Sequence, residues 1–378
     1  MPLALFALTI GAFAIGTTEF VIVGLVPTIA QQLSISLPSA GLLVSIYALG
    51  VAIGAPVLTA LTGRMPRKQL LLALMVLFTA GNVLAWQAPG YETLILARLL
   101  TGLAHGVFFS IGSTIATSLV AKEKAASAIA IMFGGLTVAL VTGVPFGTFI
   151  GQHFGWRETF LAVSILGVIA LISSLILVPN NIPGRASASL RDQLKVLTHP
   201  RLLMIYAITA LGYGGVFTAF TFLAPMMQEL AGFSPSAVSW ILLGYGVSVA
   251  IGNVWGGKLA DRHGAVSALK FIFAALATVL VMGVFAFGNV PGLQVYVVQK
   301  AEQYTPGAVD IASGLNIAAF NVGIALGSIV GGQTVERYGL AQTPWIGAVI
   351  VLVALLLVAL SGRLDKLPRR SAALSPEG

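Results

Sequence analysis

The sequence contains no cysteine, only four histidines, and 20 Lys+Arg with 12 Asp+Glu among 378 residues. Without thiols there is neither a disulfide framework nor a thiolate metal site. Four histidines far apart along the chain make a poor metal centre, so no metal and no cofactor are expected. There is no G-x-x-x-x-G-K-[ST] phosphate loop, no H-E-x-x-H and no G-x-S-x-G. Their absence argues against ATP coupling within this chain and against a membrane-embedded hydrolase. Charge is the scarcest commodity, at 8% of residues against about 25% in soluble domains. That is too little to coat a water-exposed surface.

What is present instead is oil. Hydrophobic residues make up 57% of the chain, and the mean hydropathy is +0.98. Apolar runs of about 20 residues recur throughout, the length a helix needs to cross roughly 30 Å of hydrocarbon. The first, over residues 2–30, is too long for a cleaved signal peptide and recurs too often downstream. None of the runs alternates as barrel strands would. The chain therefore reads as an all-α polytopic membrane protein embedded in a lipid bilayer.

The net charge of +8 does not point to nucleic acid. Arg64, Arg67, Lys68, Lys122, Lys124, Arg185, Arg191, Lys195 and Arg201 fall in alternate loops of the first half, while the intervening loops hold only Arg157. This asymmetry places the N-terminus and the basic loops in the cytoplasm, as expected for a multi-pass protein of the cell inner membrane.

The expected helices are 3–29, 40–61, 70–87, 92–120, 125–150 and 159–178, then 202–226, 237–259, one extended run 266–299, 309–331 and 344–362. Between the halves lies "PNNIPGRASASLRDQLKVLTHPR" (179–201), the only long polar linker. The domain reading is an N-terminal bundle over 1–178, a cytoplasmic linker over 179–201, a C-terminal bundle over 202–362 and a cytoplasmic tail over 363–378. An internal repeat relates the bundles. "YALGVAIG" (47–54) matches "YGVSVAIG" (245–252) at an offset of 198, which also pairs Pro27 with Pro225 and Gly63 with Asp261. Gly143, Gly147 and Gly151 match Gly323, Gly327 and Gly331 at an offset of 180. Two repeated halves suggest a transporter with its site at their interface.

The fall in offset marks a shortfall of about one helix between helices 9 and 10. Strict alternation through a single crossing there would leave eleven helices and an external C-terminus, whereas Arg363, Lys366, Arg369 and Arg370 favour the cytoplasm. The extended run is either one long helix, with Pro291 as a candidate kink, or two segments too short to span.

Four motifs in order carry a family resemblance that spans nearly the whole chain. "GGKLADRHG" (256–264) resembles the G-x-x-x-D-R-x-G loop signature of the major facilitator superfamily, as Gly257, Asp261, Arg262 and Gly264. "ARLLTGLAHG" (97–106) is similar to the Arg-containing motif on helix four, and "GVPFG" (143–147) to the antiporter motif on helix five, though adjacent Gly-Pro is usual there. "GTTEFVIVGLVP" (16–27) most closely resembles the arabinose-efflux-permease-like group of the drug:proton antiporter branch. The resemblance implies two six-helix bundles, here short of one helix, rocking about a central cavity. It also implies that Gly257, Asp261, Arg262 and Gly264, with Arg64, Arg67 and Lys68 in the first-half copy, latch one conformation. That copy has Gly63 where the acid belongs, so an acidic latch there is absent or supplied from elsewhere.

Glu19 is the most informative single residue. It lies midway along the first helix, where a carboxylate costs several kcal/mol unless protonated, paired or facing water. Proton coupling needs such a group; a permanently neutral structural acid is the other reading. Arg98 must face polar groups in the bundle interior. Either it takes part in proton transfer, as the resemblance implies, or it ties backbone carbonyls between helices. His105, two turns on, could join a relay. Thr18, Tyr47, Tyr213, Tyr245, Asn316 and Asn321 are candidates to line a substrate cavity or to join helices. Gly143, Pro145, Gly147, Gly323 and Gly327 are expected to let helices pack closely. The functional expectation is proton-coupled efflux of a small organic solute, sugar-like or drug-like, by a monomer; an uncoupled uniporter is the alternative.

Overall fold

The computed structural model describes residues 3–58, 61–62, 65–121, 125–182, 196–263, 279–305 and 309–366. Eleven long helices account for nearly all of them. The first half holds α1 (Leu3–Leu33), α2 (Leu37–Ile53, continued by a π turn Gly54–Leu58), α3 (Arg67–Trp86), α4 (Tyr91–Ser118), α5 and α6 (Trp156–Leu177). Helix α5 runs over Ala125–Val138 and passes through a π turn, Ala139–Gly143, into Val144–Phe154. The second half holds α7 (Pro200–Phe220, extended by short turns to Leu230), α8 (Pro235–His263), α9 (Val279–Tyr304), α10 (Val309–Tyr338) and α11 (Thr343–Lys366). Among the described residues, ten helical stretches are long and apolar enough to cross a bilayer.

Local chemistry sets the ends. Ser36 caps α2 by accepting from the backbone N–H of Ser39 at 3.2 Å, with Pro38 behind it in the first turn. Gly155 (φ 103°) turns the chain between α5 and α6, and Gly339 (φ 86°) does so between α10 and α11. A side chain would be strained at both positions. Helix α6 consequently starts at Trp156, three residues earlier than its apolar pattern suggested.

The repeat is visible in the packing. Helices α1 and α7 are the innermost, with 78% and 72% of their apolar windows buried inside the protein; α6 and α11 are the outermost, with 33% and 28%. Their outward faces carry residues such as Ile176 and Trp345, as befits a surface wetted by lipid. In each half small residues bring helices together. Gly135 abuts the carbonyl of Thr9, and Gly143, Gly147 and Gly151 abut Thr17, Val21 and Leu25, all on α1. Correspondingly, Gly323, Gly327 and Gly331 lie against the backbone carbonyls of Ala210, Gly214 and Thr218 on α7. Pro145 is buried in the first turn of the last part of α5. The halves meet along two pairs, α2 with α10 and α5 with α8. Ser45 Oγ donates to the carbonyl of Ala325 at 3.0 Å in the first pair, and Ser239 Oγ to Gln152 Oε1 at 3.0 Å in the second.

The direction of α9 resolves the conflict over the C-terminus. Near the C-terminal end of α9, Lys300 Nζ lies 2.6 Å from Asp365 Oδ1, and the Tyr296 hydroxyl donates to Asp365 Oδ2 at 3.0 Å. Arg201, at the start of α7, pairs with the same carboxylate. The end of α9 thus sits on the linker face, with the start of α7 and the end of α11. Helix α8 starts beside the end of α5, on the opposite face, and also finishes on the linker face. Helices α8 and α9 therefore run in the same direction. The expectation that eleven helices carry the C-terminus outward took the run 266–299 as a single crossing; with α8 and α9 parallel, α11 ends on the linker face, as its basic residues favoured.

Helix α9 packs on α8, α7 and α10 much as α4 packs on α2, α1 and α5. Among the described residues nothing corresponds to α3, which packs between α4 and α6 in the first half. Residues 264–278, in the region where the shortfall was expected, fall outside the described residues. Helix α9 runs unbroken through Pro291.

Candidate functional site

The first half contains a polar centre built by four helices. Its precondition is the close crossing of α2 and α4. Gly102 lies against the carbonyl of Tyr47, Gly106 against that of Val51, and Gly50 and Gly54 against those of Leu99 and Leu103. A Cβ at Gly106 would stand 2.5 Å from the Val51 oxygen, and one at Gly54 would stand 2.6 Å from the Leu103 oxygen. Only glycine permits this approach. Arg98 and His105, seven residues apart on α4, share a face and are brought against Tyr47 of α2 and Glu19 of α1.

Arg98 is 1% exposed. Its Nη1 donates to the carbonyl of Thr18 at 2.6 Å, its Nε to that of Leu43 at 3.3 Å, and its Nη2 reaches that of Glu19 at 3.5 Å. The guanidinium carbon sits 4.1 Å from the centre of the Tyr47 ring, a cation–π contact. The fork therefore clips α1 and α2 to α4 through backbone carbonyls. Thr18 is committed too: its hydroxyl donates to Asn82 Oδ1 of α3 at 2.7 Å, while Asn82 Nδ2 donates to the carbonyl of Phe78 at 2.9 Å.

Glu19 is 7% exposed and His105 5%. The carboxylate Oε2 lies 3.9 Å from His105 Nδ1, and the same nitrogen shares a 3.0 Å hydrogen bond with the Tyr47 hydroxyl. Carboxyl, imidazole and phenol thus form a short row inside the bundle. Tyr47, a cavity candidate by sequence, stands in this row at 1% exposure.

At the offset that pairs Tyr47 with Tyr245, Glu19 is matched by Phe217, so the second half has an aromatic in place of the acid. Phe217 faces Phe20 of α1 across the seam between halves, with ring centres 6.4 Å apart. From there a ladder of rings continues. Tyr213 stacks on Phe217 (5.6 Å, 27°) and meets Phe320 edge-on (4.7 Å, 74°); Phe220 meets Phe217 edge-on (5.2 Å, 77°) and stacks on Tyr245 (5.1 Å, 23°). Among the described residues, the buried hydroxyl of Tyr245 has no hydrogen-bond partner, and neither has Asn321 Oδ1; Asn321 Nδ2 donates to the carbonyl of Ile317 at 3.0 Å. Asn316 is fully engaged: it accepts from Thr209 at 2.7 Å and donates to Gln294 Oε1 at 3.0 Å, joining α7, α9 and α10.

Of the latch candidates, Arg64 and Gly264 lie outside the described residues. Gly257 and Asp261 belong to the last turns of α8, and Arg262, beside them, is exposed. Arg67 is buried at the start of α3, with Lys68 partly buried next to it. Asn82, Phe20, Phe220 and Phe320 are members of these clusters that the sequence did not single out. A lone amide within the apolar run of α3 was the available signal for Asn82; the rings, spread over three helices, left none.

Comparison with known proteins now adds to this geometry. The family model described as Major Facilitator Superfamily matches residues 8–299. The chain is 52% identical over 387 aligned residues to the "Uncharacterized MFS-type transporter YtbD" of Bacillus subtilis, covering 98% of each chain. It is 43% identical over 377 residues to the "Inner membrane transport protein YdhP" of Escherichia coli K12, covering 95% of this chain and 96% of the relative. It is 33% identical to the "Putative transporter AraJ" of the same strain, covering 88% of each. The first alignment is longer than this chain's 378 residues, so the relative has positions with no counterpart here, in keeping with the shortfall around α9. Among solved structures, a bacterial homologue of the human lysosomal transporter Spinster, inward-facing and unoccupied, superimposes with a TM-score of 0.73. It is 17% identical and covers 97% of this chain and 98% of that one, a likeness of fold.

Proposed function

The chain belongs to the major facilitator superfamily, and from that premise we propose that it is an inner-membrane efflux carrier that exchanges a small organic solute for protons by alternating access. Transport across the membrane is the family's work; the coupling is inferred from one observation. Glu19 is the only acid within the described apolar span of α1, and its carboxylate is held 3.9 Å from the His105 imidazole.

A carboxylate in this environment is costly when charged and unpaired, and cheap when protonated. Rocking of the two halves about α2/α10 and α5/α8 would give the row access to one aqueous face and then the other. Glu19 takes up a proton on the outer face and releases it on the inner. His105 and Tyr47 supply the neighbouring sites through which the proton can be shared. Arg98 holds α1 and α2 in register so that the row keeps its spacing. Asp261 and Arg262 at the end of α8, with Arg67 and Lys68 at the start of α3, fit the family's latch on the cytoplasmic face. The inner-membrane placement matches the printed name of the Escherichia coli relative.

Everted membrane vesicles energised to an interior-acid pH gradient test this reading. A transported solute should partly dissipate the gradient with the wild-type protein, and Glu19→Gln should abolish that dissipation while the protein remains folded. Dissipation by Glu19→Gln at the wild-type rate would remove Glu19 from the mechanism, and none by wild type would indicate an uncoupled carrier.

A further inference from the structure

We propose that the aromatic ladder at the seam recognises an uncharged solute built on a flat apolar ring with one or two hydrogen-bonding groups, rather than a free sugar. The inference rests on reading the seam between the halves as the transport route, and it deepens that reading by choosing between the sugar-like and drug-like classes.

Four observations carry it. First, the wall is aromatic and continuous: Tyr213, Phe217, Phe220, Tyr245 and Phe320 from α7, α8 and α10, with Phe20 facing them from α1. Two of its contacts are near-parallel stacks, at 27° and 23°. A flat ring can replace one such partner at little cost, because offset stacking on a ligand reproduces what is lost. Second, the Phe20–Phe217 contact bridges both halves. Movement of the halves separates these rings and uncovers apolar ring faces that a ligand would cover.

Third, the second-half part of the wall carries no charge. No Asp, Glu, Lys, Arg or His occurs between residues 202 and 228, 230 and 257, or 311 and 335, so nothing on this side neutralises an ionic solute. Fourth, its polar provision is small but conspicuous. The Tyr245 hydroxyl is buried at a residue only 8% exposed and has no partner among the described residues. An oxygen in that condition normally calls for a partner. Asn321 Oδ1, on the residue following Phe320, is in the same state. Two open groups suit a solute with one or two polar atoms. A monosaccharide presents several hydroxyls, each needing a partner once water is stripped away, and Asn316, a candidate to serve them, is already bonded to Thr209 and Gln294.

The test is saturable binding of radiolabelled probes to the full chain in lipid nanodiscs, with empty nanodiscs correcting for partition. The probes are 2-naphthol (a flat donor), 7-methoxycoumarin (a flat acceptor) and L-arabinose (hydroxyl-rich). At least one aromatic probe should bind saturably and arabinose should not. Tyr245→Phe keeps the ring and removes only the hydroxyl, and should weaken that binding by about tenfold, the worth of one buried hydrogen bond. Phe217→Ala should abolish it. Saturable arabinose binding, no saturable aromatic binding, or unchanged affinity in Tyr245→Phe would each overturn the proposal. The last holds even if Phe217→Ala fails to bind, since misfolding alone could produce that. Binding is read with no pH gradient imposed, whereas coupling is read as gradient dissipation in vesicles, so a failure of proton coupling and a failure of this recognition are read separately.

Discussion

Replacing Arg98 with lysine would keep the charge and discard the fork, which separates a clip from a proton partner. Of the three carbonyls the guanidinium reaches, those of Thr18 (2.6 Å) and Leu43 (3.3 Å) lie within ordinary bonding distance, and that of Glu19 (3.5 Å) is marginal. A lysine ammonium is a point donor and can keep the first of these at best. At least one charge-assisted bond, about 1.5–3 kcal/mol, is lost. Weaker contact with the Tyr47 face adds roughly 1 kcal/mol. Arg98→Lys should therefore destabilise the protein by about 2.5–4 kcal/mol. Reversible unfolding in mixed micelles titrated with SDS, followed by helicity, measures this directly. Because α1, α2 and α4 are the helices joined, transport by the surviving folded protein should be reduced rather than abolished. If Arg98→Lys unfolds within about 0.5 kcal/mol of wild type, the ordinary scatter for a neutral substitution, yet transports nothing, the clip reasoning is wrong.

Two further substitutions probe the scaffold. Gly102→Val would drive a branched side chain into the Tyr47 carbonyl, parting α2 from α4; we expect a loss of about 3 kcal/mol or more and early aggregation on size-exclusion chromatography, and wild-type elution and stability would refute the crossing. Asp365→Asn leaves Arg201 and Lys300 without their shared carboxylate; a loss of about 1–2 kcal/mol is expected for these partly buried pairs, with faster proteolysis near the end of α9, and an unchanged digestion pattern would show that the cluster does not hold that end.

The helices were legible because the bilayer imposes one length on each, and the repeat was legible because Tyr, Pro and Gly recur at shared offsets. Glu19, Arg98 and His105 stood out as ionisable groups inside oil, where each needs a reason. What stayed hidden depends on how helices cross. Tyr47 joins His105 from 58 residues away only because Gly50 and Gly102 let α2 and α4 touch, and no spacing in the sequence encodes that meeting. The direction of α9 was obscured for another reason: the run 266–299 was counted as a single crossing. Lys300, near the end of that helix, was a basic residue already voting for the linker face.

The glycine contacts between α7 and α10 constrain how the carrier can move. Where Gly323 and Gly327 rest on the carbonyls of Ala210 and Gly214, the two backbones touch directly and leave no side chain at the contact to re-pack. Sliding one along the other would push peptide oxygens into Cα atoms at every step, so the pair behaves as a single stiff plate. Whatever hinge the transport cycle uses must therefore lie outside that plate.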